Sequence, residues 1–208
     1  LFTPEGGKFA PPRGAFEMME RLPGPATAYR ITSTGGMTAT FEQPPGWTDA
    51  ECIPLARVED RHGSTLLYTY NGDNRLARVS DEDGRSFLFF YGDCGLLERL
   101  EDHHGRVVDY AHAPDVEHLV EVTLPATPHQ PDGVKRCYSY GDYGSHPWLY
   151  HSIVSTVDHE GRTVVQNWYG QNPAATDFAR VTEQLAGDYL WQYRYTVSML
   201  KREESIDS

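Results

Sequence analysis

Three four-residue segments, Asp60-Arg-His-Gly63, Asp81-Glu-Asp-Gly84 and Asp102-His-His-Gly105, place their glycines 21 residues apart, twice in succession. Seven residues beyond each glycine stand Tyr70, Tyr91 and His112. Two residues before each Asp lies an apolar residue: Val58, Val79 or Leu100. A short fixed period of this kind requires one local unit, built repeatedly, that buries its faces against its own copies. Beyond Gly105 the spacing widens. Asp132-Gly133 precedes Tyr140 by the same seven residues, and Asp158-His-Glu-Gly161 precedes Trp168, with Tyr169 beside it. These glycine intervals are 28 and 28, as expected if loops have lengthened. A weaker last copy runs from Gly187 to Tyr193-Arg-Tyr195.

Each unit carries a second turn. Tyr70-Asn-Gly-Asp-Asn74, Tyr91-Gly-Asp-Cys-Gly95 and Tyr140-Gly-Asp-Tyr-Gly144 share a Tyr followed by a tetrad ending in Gly or Asn. These residues accept the left-handed backbone that tight hairpins require. Between the turns lie runs such as Arg85-Ser-Phe-Leu-Phe-Phe-Tyr91 and Leu96-Leu-Glu-Arg-Leu100. Their length, and a composition holding 13 Tyr, 19 Gly and 14 Pro, suits short strands and many turns. No stretch keeps a helical period. One unit is thus two antiparallel strands and two turns, and the chain is expected to be all-β, a curved sheet of tandem β-hairpins. Residues 1–54 read as an N-terminal hairpin region, with Ala28–Thr32 and Met37–Phe41 joined across Gly35-Gly36. Residues 55–196 read as the repeats, and 197–208 as a tail or continuation of the sheet. Pro125–Pro131, Gly141–Tyr150 and Gln171–Asp177 are irregular stretches, where function is often added to a repeat scaffold.

Eighteen Lys and Arg face 30 Asp and Glu, a net charge of −12. That sign disfavours nucleic acid and anionic membranes, whose binding calls for clustered cations. The longest apolar runs are a few residues, so no membrane span is expected. Cys52, Cys94 and Cys137 lie far apart with no CxxC spacing, and at most one disulfide can form among them. The chain opens on Leu1-Phe2-Thr3-Pro4 without an initiator Met and is expected to be a piece of something longer, or a processed chain.

Catalytic signals are sparse. His103 and His104 beside Asp102, His159 between Asp158 and Glu160, and His62 beside Arg61 sit in the solvent-facing turn and lack metal-ligand spacing. Asp81-Glu-Asp-Gly84 lacks the ligand pattern of a calcium loop. No nucleotide or nucleophile-elbow motif is present. No enzyme, cofactor or metal site is therefore expected. Trp47, Trp148, Trp168 and Trp191 could form a sugar-stacking platform, but aromatic rings on a sheet more often cover it. The residues expected to matter are those of the repeat: Asp60, Gly63, Tyr70, Asp81, Gly84, Tyr91, Gly95, Asp102, Gly105, Gly133, Tyr140, Gly144, Asp158, Gly161 and Trp168.

The segment Tyr68-Thr-Tyr70-Asn-Gly-Asp-Asn-Arg75-Leu76-Ala-Arg-Val79-Ser-Asp81-Glu-Asp-Gly84-Arg85, repeated from Phe89 to Arg106, resembles the YD repeat of the RHS family. The resemblance is strongest over residues 55–140 and legible to about residue 195. It implies a β-sheet shell of the kind found in bacterial polymorphic toxins, type VI secretion effectors, insecticidal Tc toxins and teneurins. In the toxins such a shell encloses a C-terminal toxic domain. Five or six units make a segment of such a shell, and the self-cleavage element that precedes the toxin is absent, so no cleavage residues carry over. The expected function is a non-enzymatic scaffold of a secreted bacterial toxin or effector, working outside the producing cell. Its partners would be the remaining shell segments and the enclosed toxin. The alternative is an extracellular module that binds a glycan or receptor.

Overall fold

The structure is a computed structural model that describes residues 3–5, 8–11, 14, 16–24, 27–49, 51–114, 118–141 and 147–196. Among these are seventeen strands and one short 3-10 turn, Pro147–Leu149, so the fold is all-β. No helix among the described residues is long and apolar enough to cross a membrane. Two units divide the chain, Leu1–Asp109 and Tyr110–Ser208. Gly144 and the tail at 197–208 lie outside the described residues.

In the first unit lie β1 (Thr3–Glu5), β2 (Lys8–Ala10), β3 (Met18–Arg21), β4 (Ala28–Thr32), β5 (Thr38–Glu42) and β6 (Leu55–Glu59). They are followed by β7 (Thr65–Tyr70), β8 (Leu76–Asp81), β9 (Ser86–Tyr91) and β10 (Leu97–Asp102). The strand β11 (Val107–His112) begins in this unit and ends in the next. Consecutive strands from β1 to β11 pair antiparallel, a plain meander.

The Asp-x-x-Gly turns are of one construction. The Gly63, Gly84 and Gly105 N–H groups donate to the Asp60, Asp81 and Asp102 carbonyls at 3.1, 3.3 and 2.9 Å, and all three glycines have positive φ. This is a type I turn closed by a left-handed residue, a geometry that matches the twist of the flanking strands. The Asp side chain reinforces it: Asp81 Oδ1 accepts the N–H groups of Asp83 and Arg85 at 3.0 and 2.9 Å. Asp102 does the same for His104 and Arg106, and Asp60 for His62 and Ser64. The second turn has the same frame. Asn71 accepts from Asp73 and Arg75 at 3.0 and 2.9 Å, and Asn74 takes the left-handed place at φ 61°.

Strand register sorts this unit into two unlike faces. Pairing partners share a face, so Phe41 and Tyr29, Ala39 and Val58, Val58 and Leu66, Tyr68 and Val79, Val79 and Phe87, and Phe89 and Leu100 lie together. The opposite face joins Arg30 to Thr40, Thr40 to Arg57, Arg78 to Thr69 and Phe90 to Arg99. On that polar face Arg57 and Arg99 reach Glu59 and Glu101, both at 2.7 Å. The apolar face stays wet. Among described apolar residues only Ala28 and Leu149 are buried, while Phe87 is 50% exposed and Leu66 41%.

The second unit continues with β12 (Leu119–Thr123), β13 (Lys135–Tyr140), β14 (Ile153–Val157), β15 (Thr163–Tyr169), β16 (Val181–Ala186) and β17 (Tyr189–Gln192), again antiparallel neighbours. The Asp158 turn repeats the first unit's frame, with Gly161 at φ 77°. Other turns have grown. The bond that closes residues 71–75 in the first unit recurs as Gly141 N–H to Ser152 O at 3.0 Å and Gly170 N–H to Arg180 O at 2.9 Å. The widened spacing in the sequence is therefore loop insertion at fixed hairpin ends. Face segregation is weaker here: Asn167 and Gln184, paired across β15 and β16, bond at 2.8 Å on the face that carries Val165.

Candidate functional site

One contact recurs in five hairpins, β6–β7, β8–β9, β12–β13, β14–β15 and β16–β17, and locks them. The Tyr70 hydroxyl donates to Leu55 O at 2.7 Å and Tyr91 to Leu76 O at 2.8 Å. In the second unit Tyr140 donates to Leu119 O at 2.8 Å, Tyr169 to Ile153 O at 2.7 Å and Tyr195 to Val181 O at 2.8 Å. Tyr70, Tyr91, Tyr140 and Tyr169 end their hairpins, Tyr195 follows its own by three residues, and each reaches the carbonyl of the residue that begins the hairpin. Burial pushes the phenols of Tyr70, Tyr91, Tyr140 and Tyr169 up, which keeps them protonated donors. In the β14–β15 hairpin this place is held by Tyr169 and not by Trp168, the aromatic that the seven-residue count selects. The strand register slips between Thr156 and Val157, inserting one residue, Val164, into β15. The position thus moves one residue on, and Trp168 is left 43% exposed.

The first unit holds a cleft of about 320 Å³ on its apolar face, floored by Leu66, Val79 and Phe87 and rimmed by Asp81, Arg85, Asp102, His103 and Arg106. Its charges are committed to turns. Arg85 Nε donates to Asp81 Oδ2 at 2.5 Å and Arg106 Nε to Asp102 Oδ2 at 2.7 Å. Removal from water opposes ionisation of Asp102, but the bonds from the Arg106 side chain and the Arg106 and His104 N–H groups prevail and bring its carboxyl down to about 2. A carboxylate held that low neither gives nor takes a proton near neutral pH.

The second unit gathers its chemistry where the lengthened loop after β13 meets the residue that leads into β12. His118 Nε2 and His151 Nδ1 stand 2.8 Å apart. The His118 ring stacks on Tyr140, 4.2 Å between centroids and 14° between planes, and lies 5.0 Å from Tyr150. Since the Tyr140 hydroxyl is tied to Leu119 O, the ring beneath His118 is fixed. Nearby, Trp148 packs on Phe178 at 5.2 Å, linking the loop after β13 to the loop after β15. Ala179, at the end of that second loop, takes φ 56°, the left-handed place that Asn74 holds in the first unit.

The histidines singled out from sequence do not converge. His103 and His104 lean on each other with centroids 3.9 Å apart, His62 accepts from Arg61 at 2.9 Å, and His159 lies 3.8 Å from Glu160. No three His, Cys, Asp or Glu side chains come together to hold a metal among the described residues. His118 and His151 stand 33 residues apart, beyond any local spacing along the chain. Trp47 is structural, set edge-on against Tyr70 at 5.3 Å with its Nε1 donating to Cys52 O at 2.9 Å. All three cysteines are free. Burial and the Glu121 carboxylate push the Cys137 thiol up, which favours the inert protonated form.

Fold and site together define an all-β antiparallel meander of hairpins, of which β6–β7, β8–β9 and β14–β15 are held by a turn carboxylate at one end and a tyrosine hydroxyl at the other. No protein-family model matches the chain, and no curated protein matches it.

Proposed function

We propose that this chain is a segment of an RHS/YD-repeat wall, a non-enzymatic scaffold in a secreted bacterial toxin or effector. The observation that carries the reading is the pairing of a repeated, tyrosine-locked hairpin with a sheet that has one mostly apolar, solvent-open face. The first unit's apolar face carries Leu66, Val79, Phe87 and Phe89, and Leu66 and Phe87 remain about half exposed. An exposed apolar face of this extent calls for a cover. In a wall the cover is the rest of the same polypeptide and the cargo it encloses. The mechanism is encapsulation: a hydrogen-bonded sheet excludes proteases and water, and it denies the cargo its folded, active state until release. Native mass spectrometry of the product of the complete reading frame, purified without denaturant, tests this. The expected result is one assembly in which these repeats stay bound to further pieces of the same polypeptide. These repeats running as a free, monodisperse species beside unassociated fragments would overturn it.

A second reading is favoured by Trp148, Trp168 and Trp191, which are 40%, 43% and 56% exposed. On that reading the module binds a glycan or receptor through aromatic stacking. It predicts a saturable change in tryptophan fluorescence with a neutral oligosaccharide, which the wall reading does not.

A further inference from the structure

We propose that His118 and His151 form a two-histidine site for a borderline divalent transition ion, Cu²⁺, Ni²⁺ or Zn²⁺, which clips the loop after β13 to the residue that leads into β12. The facing nitrogens, His118 Nε2 and His151 Nδ1, are already 2.8 Å apart. Two imidazole nitrogens bound to one tetrahedral ion at about 2.0–2.1 Å stand about 3.3 Å from each other. The rings therefore need to part by only about half an ångström and tilt, with the ion entering beside the line that joins them. His151 is exposed, so it can tilt, and the site is open to solvent on its side. His118 is the fixed ligand, stacked on Tyr140, whose hydroxyl is anchored on Leu119 O.

The proton balance is simple. In the metal-free pair one ring donates its N–H to the other. On binding, that proton moves to the donor's outer nitrogen by a change of tautomer, and both facing nitrogens offer lone pairs. Two neutral rings thus release no proton on binding. Imidazole ligands select Cu²⁺, Ni²⁺ and Zn²⁺ over Mg²⁺ and Ca²⁺, which require oxygen donors. Water completes the coordination. The clip would hold His151, and with it the end of the loop after β13, against the neighbouring hairpin end, independently of whether the wall reading holds.

The test uses the product of the complete reading frame, freed of metal by chelator. Substoichiometric CuCl₂ is added while the ring protons of the nine histidines are followed by NMR. The expected result is selective broadening of the His118 and His151 signals, with calorimetry giving one Zn²⁺ per chain and none for Mg²⁺. His151→Gln and His118→Gln should each lower Zn²⁺ affinity by roughly tenfold or more. Uniform broadening across all histidines, prior broadening of His103 and His104, or undiminished Zn²⁺ affinity in both variants would overturn the site. Because the broadening is read on the unaltered protein, a variant that fails to fold does not rescue the proposal.

Discussion

Some glycines of the second unit serve an end that those of the first unit's Asp turns do not. Gly63, Gly84 and Gly105 have positive φ and open space where a side chain would sit. They are needed for their backbone angle alone. In the second unit, Gly141 and Gly170 have no positive φ, yet a Cβ on either would run into the backbone of Leu149 or Asp177. Gly133 combines both demands, with φ 75° and the Leu124 carbonyl against it. The first unit is a set of interchangeable turns, and the second is the same meander with loops folded tightly back onto it. A regular repeat tolerates change at its turns, whereas an insertion must be closed by close backbone approach.

Substitutions that separate angle from space sharpen this contrast. Gly133→Ala should cost most, about 3 kcal/mol, because a left-handed penalty of about 1–2 adds to an overpacking cost of about 1–3. Gly84→Ala meets the angle penalty alone and should cost about 1–2 kcal/mol. Urea unfolding of the two variants measures the gap, and equal costs would break the distinction. Next comes the tyrosine lock. Tyr91→Phe and Tyr140→Phe each remove one hydroxyl-to-carbonyl bond and should each cost about 1 kcal/mol by the same measurement. A much larger cost for Tyr140→Phe would mean that the second unit depends on its tyrosine in another way.

Smaller effects lie at the left-handed places. Ala179 occupies at φ 56° the position that Asn74 fills in the first unit. Ala179→Gly should stabilise slightly, by less than about 1 kcal/mol, since relief of strain outweighs the added unfolded-state freedom. Thermal melting should show a rise, and a fall would mean that the loop is not strained there. The last effect is acid sensitivity. Asp102 has its carboxyl lowered from 3.8 to about 2, and Asp60, Asp81 and Asp158 are lowered too. A lowered folded value gives stability that is present above the unfolded value and lost as pH falls through the folded one. The Asp102 contribution should therefore be intact above about pH 4 and fade toward pH 2. An NMR titration of the Asp102 carboxyl checks this, and a midpoint near 4 would contradict it.

Much of this was readable from local pattern. The Asp-x-x-Gly turns, the strands between them and the places where loops lengthen all follow from 21 residues being one hairpin and its two turns. Those features depend on backbone geometry that neighbouring residues set. What was not readable depends on register or on distant loops. The single inserted residue Val164 moved the tyrosine lock from the expected Trp168 to Tyr169, and no count along the chain reveals a bulge. His118 and His151 meet only because successive hairpins place alternate turns at the same end of a meander, and because one of those turns has grown. The unlike faces of the first unit were partly concealed as well. Phe90 and Leu88 interrupt its polar face, so alternation along β9 alone does not declare which side is apolar.

On the wall reading, the first unit's apolar face is covered in the intact protein. Hydroxyl-radical footprinting of the complete reading frame product tests it most directly, with oxidation read at Leu66, Phe87 and Phe89. The account predicts strong protection of these three side chains in the native assembly and rapid oxidation after denaturation. Native-state oxidation at the rate of a denatured chain would show the face bare, and the wall reading would fall.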